Sequence, residues 1–418
     1  MRIEAESSPI SGTVYAPSSK SAMQRYVAGA LLAEGVTQIF SPSFCDDAMA
    51  AIAIAKALGA EVTISDEGVV VKGGFKPLHD QIFCGESGLA ARMFTPIAAL
   101  HSGEMFINGK GSILYRPLTM MERPLAELGV EISTNNGFLP VKIKGPLKGG
   151  DVFADGSVSS QFITGLLMAL PIVQNDSLII VDNLASKPYI DLTMRILNEF
   201  GIFIQNHDYE KFEINGRQKY VAGDFTVEGD WSGAAFLLVL AAMGGKATVR
   251  NLDLHSAQAD KAIFEILSLA GAKIKSSYDA IIVSKGDLHG FSYDISDCPD
   301  LAPPLIVLAL ACRGRSEITG TSRLTSKESD RGKILEATLS SLGGRIRNYH
   351  DRIEIDGGMP LNGGPVSAGN DHRIAMALAS AAIICNSPVI INGMECINKS
   401  YPNFIDDYQK LGGKIKLL

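Results

Sequence analysis

The sequence lacks several features that define large classes of protein. Its longest nearly apolar runs, 234–243 and 302–312, are far shorter than the ~20 residues needed to cross a bilayer, so we expect no membrane-spanning helix. Its six cysteines are widely spaced and include no CxxC pair, which favours buried, reduced thiols over a disulfide framework or a zinc site. The acidic N-terminus contains no apolar signal segment, and we therefore expect a cytoplasmic location.

Basic runs and nucleotide-binding motifs are missing too. The 418 residues carry a formal net charge of −7 and contain no block of Lys and Arg, which argues against a nucleic-acid partner. Neither a GxxxxGK[ST] loop nor a GxGxxG motif after a strand occurs, so neither a Walker nor a Rossmann nucleotide site is supported. The composition, 46% hydrophobic and 20% charged, is that of a globular chain of about two to four domains.

The chain does contain a repeat. Six helical patterns end at a glycine that is followed by a short strand pattern, and these glycines are 70, 72, 70, 72 and 69 residues apart. They are Gly59, Gly129, Gly201, Gly271, Gly343 and Gly412. A glycine in this place accepts the left-handed conformation that ends a helix. A second series has the same period: apolar helices end at Gly35, Gly103, Asn175, Gly245, Gly314 and Asn386, with a strand expected about three residues later.

Two kinds of helix alternate in this repeat. Those of the first series, such as 46–58, are amphipathic and should lie outside, whereas those of the second, such as 234–243, are apolar all round and should be buried under sheets. We therefore predict an α/β fold of two lobes, each with three repeated two-helix, mixed-sheet units, helices inside and sheets outside. One lobe comprises 16–228 and the other 229–418 together with 1–15, whose strand joins it, and the active-site cleft is expected between the lobes.

Basic side chains occupy helix starts, where helices normally favour acids. A single Lys or Arg there is more often a solvated side chain, but the accumulation indicates a cationic site for phosphate or carboxylate groups. The basic residues are Lys20, Arg92, Arg116, Lys327, Arg331, Arg373 and Lys399. Acidic residues share these turns; Asp46, Asp230 and Asp371 are most simply helix N-caps, whereas Asp300 and Glu328 could move protons.

Eight motifs in this order resemble the 5-enolpyruvylshikimate-3-phosphate (EPSP) synthase family, also called 3-phosphoshikimate 1-carboxyvinyltransferase, and the resemblance covers nearly the whole chain. They are PSSKS at 17–21 with Arg25, GSVSSQF at 156–162, SKPYID at 186–191, VEGD at 227–230, PDLAP at 299–303, KESDR at 327–331, NDHR at 370–373 and KSYP at 399–402. The family fold has two lobes of three repeated units, as the period predicts.

The resemblance implies transfer of the enolpyruvyl group of phosphoenolpyruvate to the 5-hydroxyl of shikimate 3-phosphate, with release of phosphate and without metal or organic cofactor. It assigns the shikimate 3-phosphate site to Lys20, Ser21, Arg25, Ser159, Ser160, Ser186, Tyr189, Asp300 and Lys327. It assigns the phosphoenolpyruvate site to Lys20, Gly88, Arg116, Gln161, Arg331, Arg373 and Lys399. The catalytic residues would be Lys20, Asp300, Glu328 and Lys399, in a protein expected to be monomeric.

Two positions depart from the family pattern. The usual Gly-Asn-Ala-Gly-Thr run reads Gly85-Glu86-Ser87-Gly88-Leu89 here, and a carboxylate near phosphoenolpyruvate is unfavourable unless Arg92 or Arg116 neutralises it. Because family members bind the herbicide glyphosate in this pocket, we expect Glu86 and Leu89 to weaken that inhibition. Arg323 replaces a polar residue that contacts shikimate 3-phosphate in many relatives, and we assign it no role.

Three alternatives compete with this interpretation. The sister transferase, which acts on UDP-N-acetylglucosamine, shares the repeats but carries a loop cysteine just before its Arg-Pro. The loop before Arg116-Pro117 has no such cysteine here, since none occurs between Cys84 and Cys298. A non-catalytic anion-binding scaffold would not need Lys20, Asp300, Glu328 and Lys399 together. An RNA-end cyclase with related units is disfavoured by the net charge.

Overall fold

The computed structural model describes residues 1–65 and 67–418, and this chain folds into two compact units. The continuous unit is Ser18–Val227, and the split unit is Met1–Pro17 together with Glu228–Leu418. Among the described residues, no helix combines the length and the apolar character needed to cross a membrane. All six cysteines are buried and carry free thiols, as predicted.

The described residues form twenty-four strands and twelve α-helices. The strands are β1 (Arg2–Glu6), β2 (Ile10–Tyr15), β3 (Val36–Phe40), β4 (Glu61–Ser65), β5 (Gly68–Lys72), β6 (Gln81–Phe83), β7 (Glu104–Asn108), β8 (Glu131–Asn135), β9 (Phe138–Lys144), β10 (Asp151–Asp155), β11 (Ser177–Asp182), β12 (Ile204–His207), β13 (Lys211–Ile214), β14 (Asp224–Thr226), β15 (Gly245–Arg250), β16 (Lys273–Ser277), β17 (Ala280–Ser284), β18 (Ser292–Asp294), β19 (Gly314–Thr319), β20 (Arg345–Asn348), β21 (Arg352–Gly357), β22 (Gly364–Ser367), β23 (Val389–Asn392) and β24 (Lys414–Leu417). The helices are α1 (Lys20–Leu32), α2 (Asp46–Ala57), α3 (Gly88–Ala98), α4 (Glu122–Glu127), α5 (Gln161–Ala169), α6 (Lys187–Glu199), α7 (Trp231–Gly244), α8 (Ile263–Leu269), α9 (Ala302–Ala311), α10 (Arg331–Ser341), α11 (His372–Ala381) and α12 (Phe404–Lys410).

The strands form six four-stranded sheets, three in each unit. The continuous unit has the orders β14-β3-β5-β4, β6-β7-β9-β8 and β10-β11-β13-β12, and the split unit has β2-β15-β17-β16, β18-β19-β21-β20 and β22-β23-β1-β24. In every sheet the first strand is parallel to the second, and the remaining pairs are antiparallel. The N-terminal strands β1 and β2 thus complete two sheets of the split unit.

Two kinds of helix alternate, as the sequence predicts. The inner helices α1, α3, α5, α7, α9 and α11 are buried along nearly their whole length, and in α7 every residue from Trp231 to Met243 is buried. The outer helices α2, α4, α6, α8, α10 and α12 bury one face only. Gly165 lets α5 approach α3 closely, since a Cβ there would lie 2.8 Å from the carbonyl oxygen of Met93.

Glycines end the helices of the first series as predicted. All six have positive φ, between 77° and 112°, and a strand follows each. The predicted gap of three residues after the second series is mostly wrong: β3 starts directly after Gly35, and β15 starts at Gly245 itself. Their positive φ angles, 113° and 159°, are conformations that glycine adopts readily, so the strand can begin at the glycine or directly after it.

Candidate active site

The first group of predicted site residues lies at the start of helix α1 in the continuous unit. The Ser19 hydroxyl accepts a hydrogen bond from the amide of Ala22 at 3.3 Å and caps the helix. Lys20 is the first helical residue, and its Nζ donates to Asp47 Oδ2 at 3.0 Å. Both side chains are mostly buried, so this pair fixes the Lys20 ammonium beside the helix N-terminus. The sequence motifs did not predict the pairing with Asp47.

Arg25, one turn further along α1, is buried and connects three helices of the continuous unit. Its Nε donates to Thr193 Oγ1 at 2.8 Å, and its Nη1 donates to the Ser21 carbonyl at 2.8 Å. Its Nη2 donates to Thr164 Oγ1 at 3.5 Å and to the Tyr189 carbonyl at 3.3 Å. Burial lowers the pKa of Arg25 to about 10, so the guanidinium stays charged at neutral pH. The predicted residues Ser21 and Tyr189 are therefore brought together around it.

The serines predicted to bind shikimate 3-phosphate lie at two further helix starts. Ser160 is the N-cap of α5, and the hydroxyl of Ser159 accepts from the amide of Gln161 at 3.2 Å. Ser186 is the N-cap of α6 and is buried in the left-handed conformation, with φ of 57°. Neither N-cap hydroxyl makes a side-chain capping bond to its helix. The backbone N–H groups of these first turns are therefore not capped by those hydroxyls.

The start of α3 carries the residues predicted to bind phosphoenolpyruvate. The guanidinium of Arg116 lies against Gly88, because a Cβ on Gly88 would be 2.6 Å from its Nη1. Only glycine allows this approach. Arg92, to which the family pattern assigns no substrate contact, donates to Gln161 Oε1 at 2.9 Å and to the Pro117 carbonyl at 2.9 Å. It therefore orients Gln161 and the segment that carries Arg116.

In the split unit, Arg331 is the centre of a buried ionic cluster. The side chain is 1% exposed, and its Nη1 donates to Asp300 Oδ1 at 2.7 Å, its Nη2 to Glu328 Oε2 at 2.5 Å and its Nε to Asp371 Oδ2 at 2.8 Å. Burial alone would lower the pKa of Arg331, but these three carboxylates outweigh it and raise that pKa. One guanidinium thus holds three carboxylates from separate turns.

Asp300 contacts two other predicted cations of the split unit. Arg373 Nη2 donates to Asp300 Oδ2 at 2.9 Å, and Lys327 Nζ lies 3.5 Å from Asp300 Oδ1. Burial lowers the pKa of Lys327 to about 8, against the opposing effect of Asp300. Lys399 Nζ donates to the Asn370 carbonyl at 2.7 Å, next to the start of α11. The structure therefore gathers all the predicted charged residues of this unit near the starts of α9, α10 and α11.

The predicted N-caps give a mixed result. Asp230 caps α7 through the amide of Gly233 at 2.9 Å, and Asp371 caps α11 through the amide of Arg373 at 2.9 Å. Asp46 is not a cap, since Cys45 holds that position and Asp46 is the first helical residue of α2. Asp371 also pairs with Arg331, a role that its position in NDHR does not reveal.

Asp260 is a buried carboxyl that no sequence motif singled out. It accepts a hydrogen bond from the Ser232 hydroxyl at the start of α7, and its Oδ1 has no hydrogen-bond partner among residues 1–65 and 67–418. Burial, and then the negative charge of Asp300, raise the pKa of Asp260 to about 7, although Arg373 opposes them. Asp260 therefore holds a proton over part of the neutral range, close to the ionic cluster.

The proton on Asp260 predicts a pH-dependent stability. Unfolding returns its pKa to about 4, so between pH 4 and pH 7 the folded state retains a proton that the unfolded state releases. The free energy of unfolding therefore falls as the pH rises through this window. We expect Asp260→Asn to be stabilised relative to the parent protein more at pH 8 than at pH 5, as measured by urea unfolding. The same difference at both pH values, as expected for the exposed control Asp279→Asn, would contradict this.

The two departures from the family pattern also have defined places. Glu86 Oε2 accepts from the amide of Ser112 at 3.0 Å. Leu89 is buried in α3. Weaker glyphosate inhibition stays a prediction. Arg323 lies in a short 3-10 helix, and its Nη1 donates to the Ser296 carbonyl at 3.1 Å.

Comparisons with known proteins agree with the resemblance carried by the motifs. Residues 5–408 match the family model for EPSP synthase (3-phosphoshikimate 1-carboxyvinyltransferase). The 3-phosphoshikimate 1-carboxyvinyltransferase of Clostridium novyi (strain NT) is 40% identical over 98% of this chain and 97% of its own, and that of Clostridium kluyveri is 38% identical over 97% and 96%. The solved structure of EPSP synthase from Acinetobacter baumannii superposes with a TM-score of 0.84 at 25% identity, over 100% of both chains. The chain therefore belongs to the EPSP synthase (3-phosphoshikimate 1-carboxyvinyltransferase) family.

Proposed function

We propose that this protein is a transferase that moves the enolpyruvyl group of phosphoenolpyruvate to the 5-hydroxyl of shikimate 3-phosphate and releases phosphate. The observation that carries the proposal is the cluster around Asp300, in which a carboxylate able to accept a proton contacts Lys327, Arg331 and Arg373. Family membership supplies the identity of the two substrates. The shikimate pathway, in which the relatives' enzyme makes precursors of aromatic amino acids, is the proposed setting.

We assign substrate contacts by the family's pattern. Shikimate 3-phosphate is bound by Lys20, Ser21, Arg25, Ser159, Ser160, Ser186, Tyr189, Asp300 and Lys327. Phosphoenolpyruvate is bound by Lys20, Gly88, Arg116, Gln161, Arg331, Arg373 and Lys399. Because these sets draw on both units, we propose that both units act on one pair of substrates. A monomeric state, a cytoplasmic location and the lack of a nucleic-acid partner stay predictions.

The ion pairs suggest how the substrate prepares the catalytic groups. Arg331 and Arg373 neutralise Asp300, and Arg331 also neutralises Glu328. A substrate carboxylate or phosphate that binds these two arginines takes over part of their charge. Asp300 and Glu328 then share their cations with a second anion, which favours proton transfer to these carboxylates when phosphoenolpyruvate is in place.

The proposed reaction has an addition step and an elimination step. In the addition, the 5-hydroxyl oxygen bonds to the enol carbon of phosphoenolpyruvate while Asp300 orients the hydroxyl or accepts its proton, and the methylene carbon gains a proton. In the elimination, a methyl proton leaves and the bond to phosphate breaks. Glu328 and Lys399 exchange protons with that carbon and with the departing phosphate. Lys20 and Arg331 stabilise the negative charge of the reacting phosphoenolpyruvate.

An acceptor comparison tests this function. The purified protein is mixed with phosphoenolpyruvate and either shikimate 3-phosphate or UDP-N-acetylglucosamine, and phosphate release is measured. We expect release with shikimate 3-phosphate only, and a strong loss of it in Glu328→Gln and Lys399→Ala. Release only with the UDP-sugar would favour the sister transferase, and release with neither acceptor would favour the non-catalytic scaffold.

A further inference from the structure

The turn before α3 is joined to the segment before Arg116. Glu86 Oε2 accepts from the amide of Ser112 at 3.0 Å, and the amide of Lys110 donates to the Gly85 carbonyl at 2.8 Å. Gly111, between them, has φ of 62°, and a Cβ on it would lie 2.3 Å from the carboxyl carbon of Glu86. Gly111 therefore meets two requirements at once, a left-handed backbone and space for the carboxylate.

This contact lies at one end of a short 3-10 helix whose other end carries Arg116. The helix spans Gly111–Tyr115, and Arg116 is its C-cap, with its amide donating to the Ile113 carbonyl at 3.2 Å. The Arg116 guanidinium in turn lies against Gly88, only two residues after Glu86. The segment is thus attached to the same turn at both ends, by the Glu86 carboxylate at its start and by the packing of Arg116 at its end.

We propose that Glu86 is a positioning residue that holds Arg116 in place for phosphoenolpyruvate, an inference that rests on the proposed function. The carboxylate accepts from the amide of Ser112 in the first turn of the 3-10 helix, where amides have no partner within the helix. The negative charge of the carboxylate strengthens this hydrogen bond. Loss of this acceptor frees the start of the segment and lets Arg116 move away from Gly88. A neutral amide side chain at this position keeps an accepting oxygen but loses the strengthening of the hydrogen bond by charge.

A pair of variants separates positioning from charge. Glu86→Gln keeps an oxygen that can accept from Ser112, whereas Glu86→Ala removes it. We expect Glu86→Ala to raise KM for phosphoenolpyruvate about tenfold or more, in line with the loss of a hydrogen bond to a charged group, with kcat and KM for shikimate 3-phosphate changed less than about threefold. Glu86→Gln should lie between Glu86→Ala and the parent protein. Glu131→Ala, on the exposed strand β8, is the control and should change nothing.

Hydrogen exchange supplies a readout that does not depend on turnover. We expect amides 111–116 to exchange faster in Glu86→Ala than in the parent protein, and those in Glu86→Gln to exchange more slowly than in Glu86→Ala. Unchanged exchange in Glu86→Ala, or equal losses in Glu86→Ala and Glu86→Gln, would overturn the proposal. If the parent protein shows no turnover with either acceptor, the proposed function fails on its own, while the exchange experiment still decides whether Glu86 orders this segment.

Discussion

Replacing Asp300 with Asn is expected to lower kcat about 10²- to 10⁴-fold, the range typical of a lost proton acceptor. Asn keeps the size and one accepting oxygen, so Arg331 and Arg373 retain a neighbour but lose a competing negative charge. KM for phosphoenolpyruvate should therefore stay the same or fall. Steady-state kinetics with both substrates varied measures the two parameters separately.

Whether kcat or KM changes in Asp300→Asn distinguishes a role in catalysis from a role in substrate binding. A higher KM with unchanged kcat would assign Asp300 to uniform substrate binding and contradict its role in proton transfer. Asp287→Asn is a matched control, since Asp287 pairs with Arg313 on the surface of the same unit, with both side chains mostly exposed. It should leave kcat and KM unchanged.

Replacing Arg331 with Met is expected to destabilise the protein by about 3–5 kcal/mol, the usual cost of leaving buried charges without their partner. Asp300, Glu328 and Asp371 would then repel one another, and Asp371 is fully buried. Urea unfolding measures this loss of stability.

A surface arginine supplies the comparison for Arg331. Arg250 on β15 lies 3.6 Å from Asp279, and about half of each side chain is exposed. Because exposed pairs contribute only about 0–1 kcal/mol, Arg250→Met should cost little at any pH. Equal losses of stability in Arg331→Met and Arg250→Met would contradict the central role of Arg331 in the split unit.

The repeat made much of the fold predictable. Glycines at a fixed period mark helix ends because the left-handed conformation that ends a helix favours glycine. Apolar helices such as α7 can be recognised in the sequence because they have no polar face. The parallel pairing of β2 with β15, more than 200 residues apart in the sequence, has no local sequence pattern that predicts it. The starts of β3 and β15 were predicted too late in the sequence, because the φ angles of Gly35 and Gly245 are set by their tertiary context.

The site was predictable in residue types and less so in pairings. Cations at helix starts oppose the helix dipole, and this opposition is enough to indicate an anion site from the sequence alone. The partners of those cations come from distant turns, as in the pairs of Arg331 with Asp371 and of Lys20 with Asp47. Asp260 could not be predicted as a site residue from the sequence, because only its burial near Asp300 raises the pKa of its carboxyl group.

The most direct test of the account is a crystal structure of the protein with shikimate 3-phosphate. We expect the ligand to contact residues at the starts of α1, α5 and α6 and in the turns before α9 and α10, with its phosphate and hydroxyl groups bound by Lys20, Ser160, Ser186, Asp300 and Lys327. Shikimate 3-phosphate bound on an outer sheet face, or no binding at concentrations that saturate the relatives' enzyme, would contradict it.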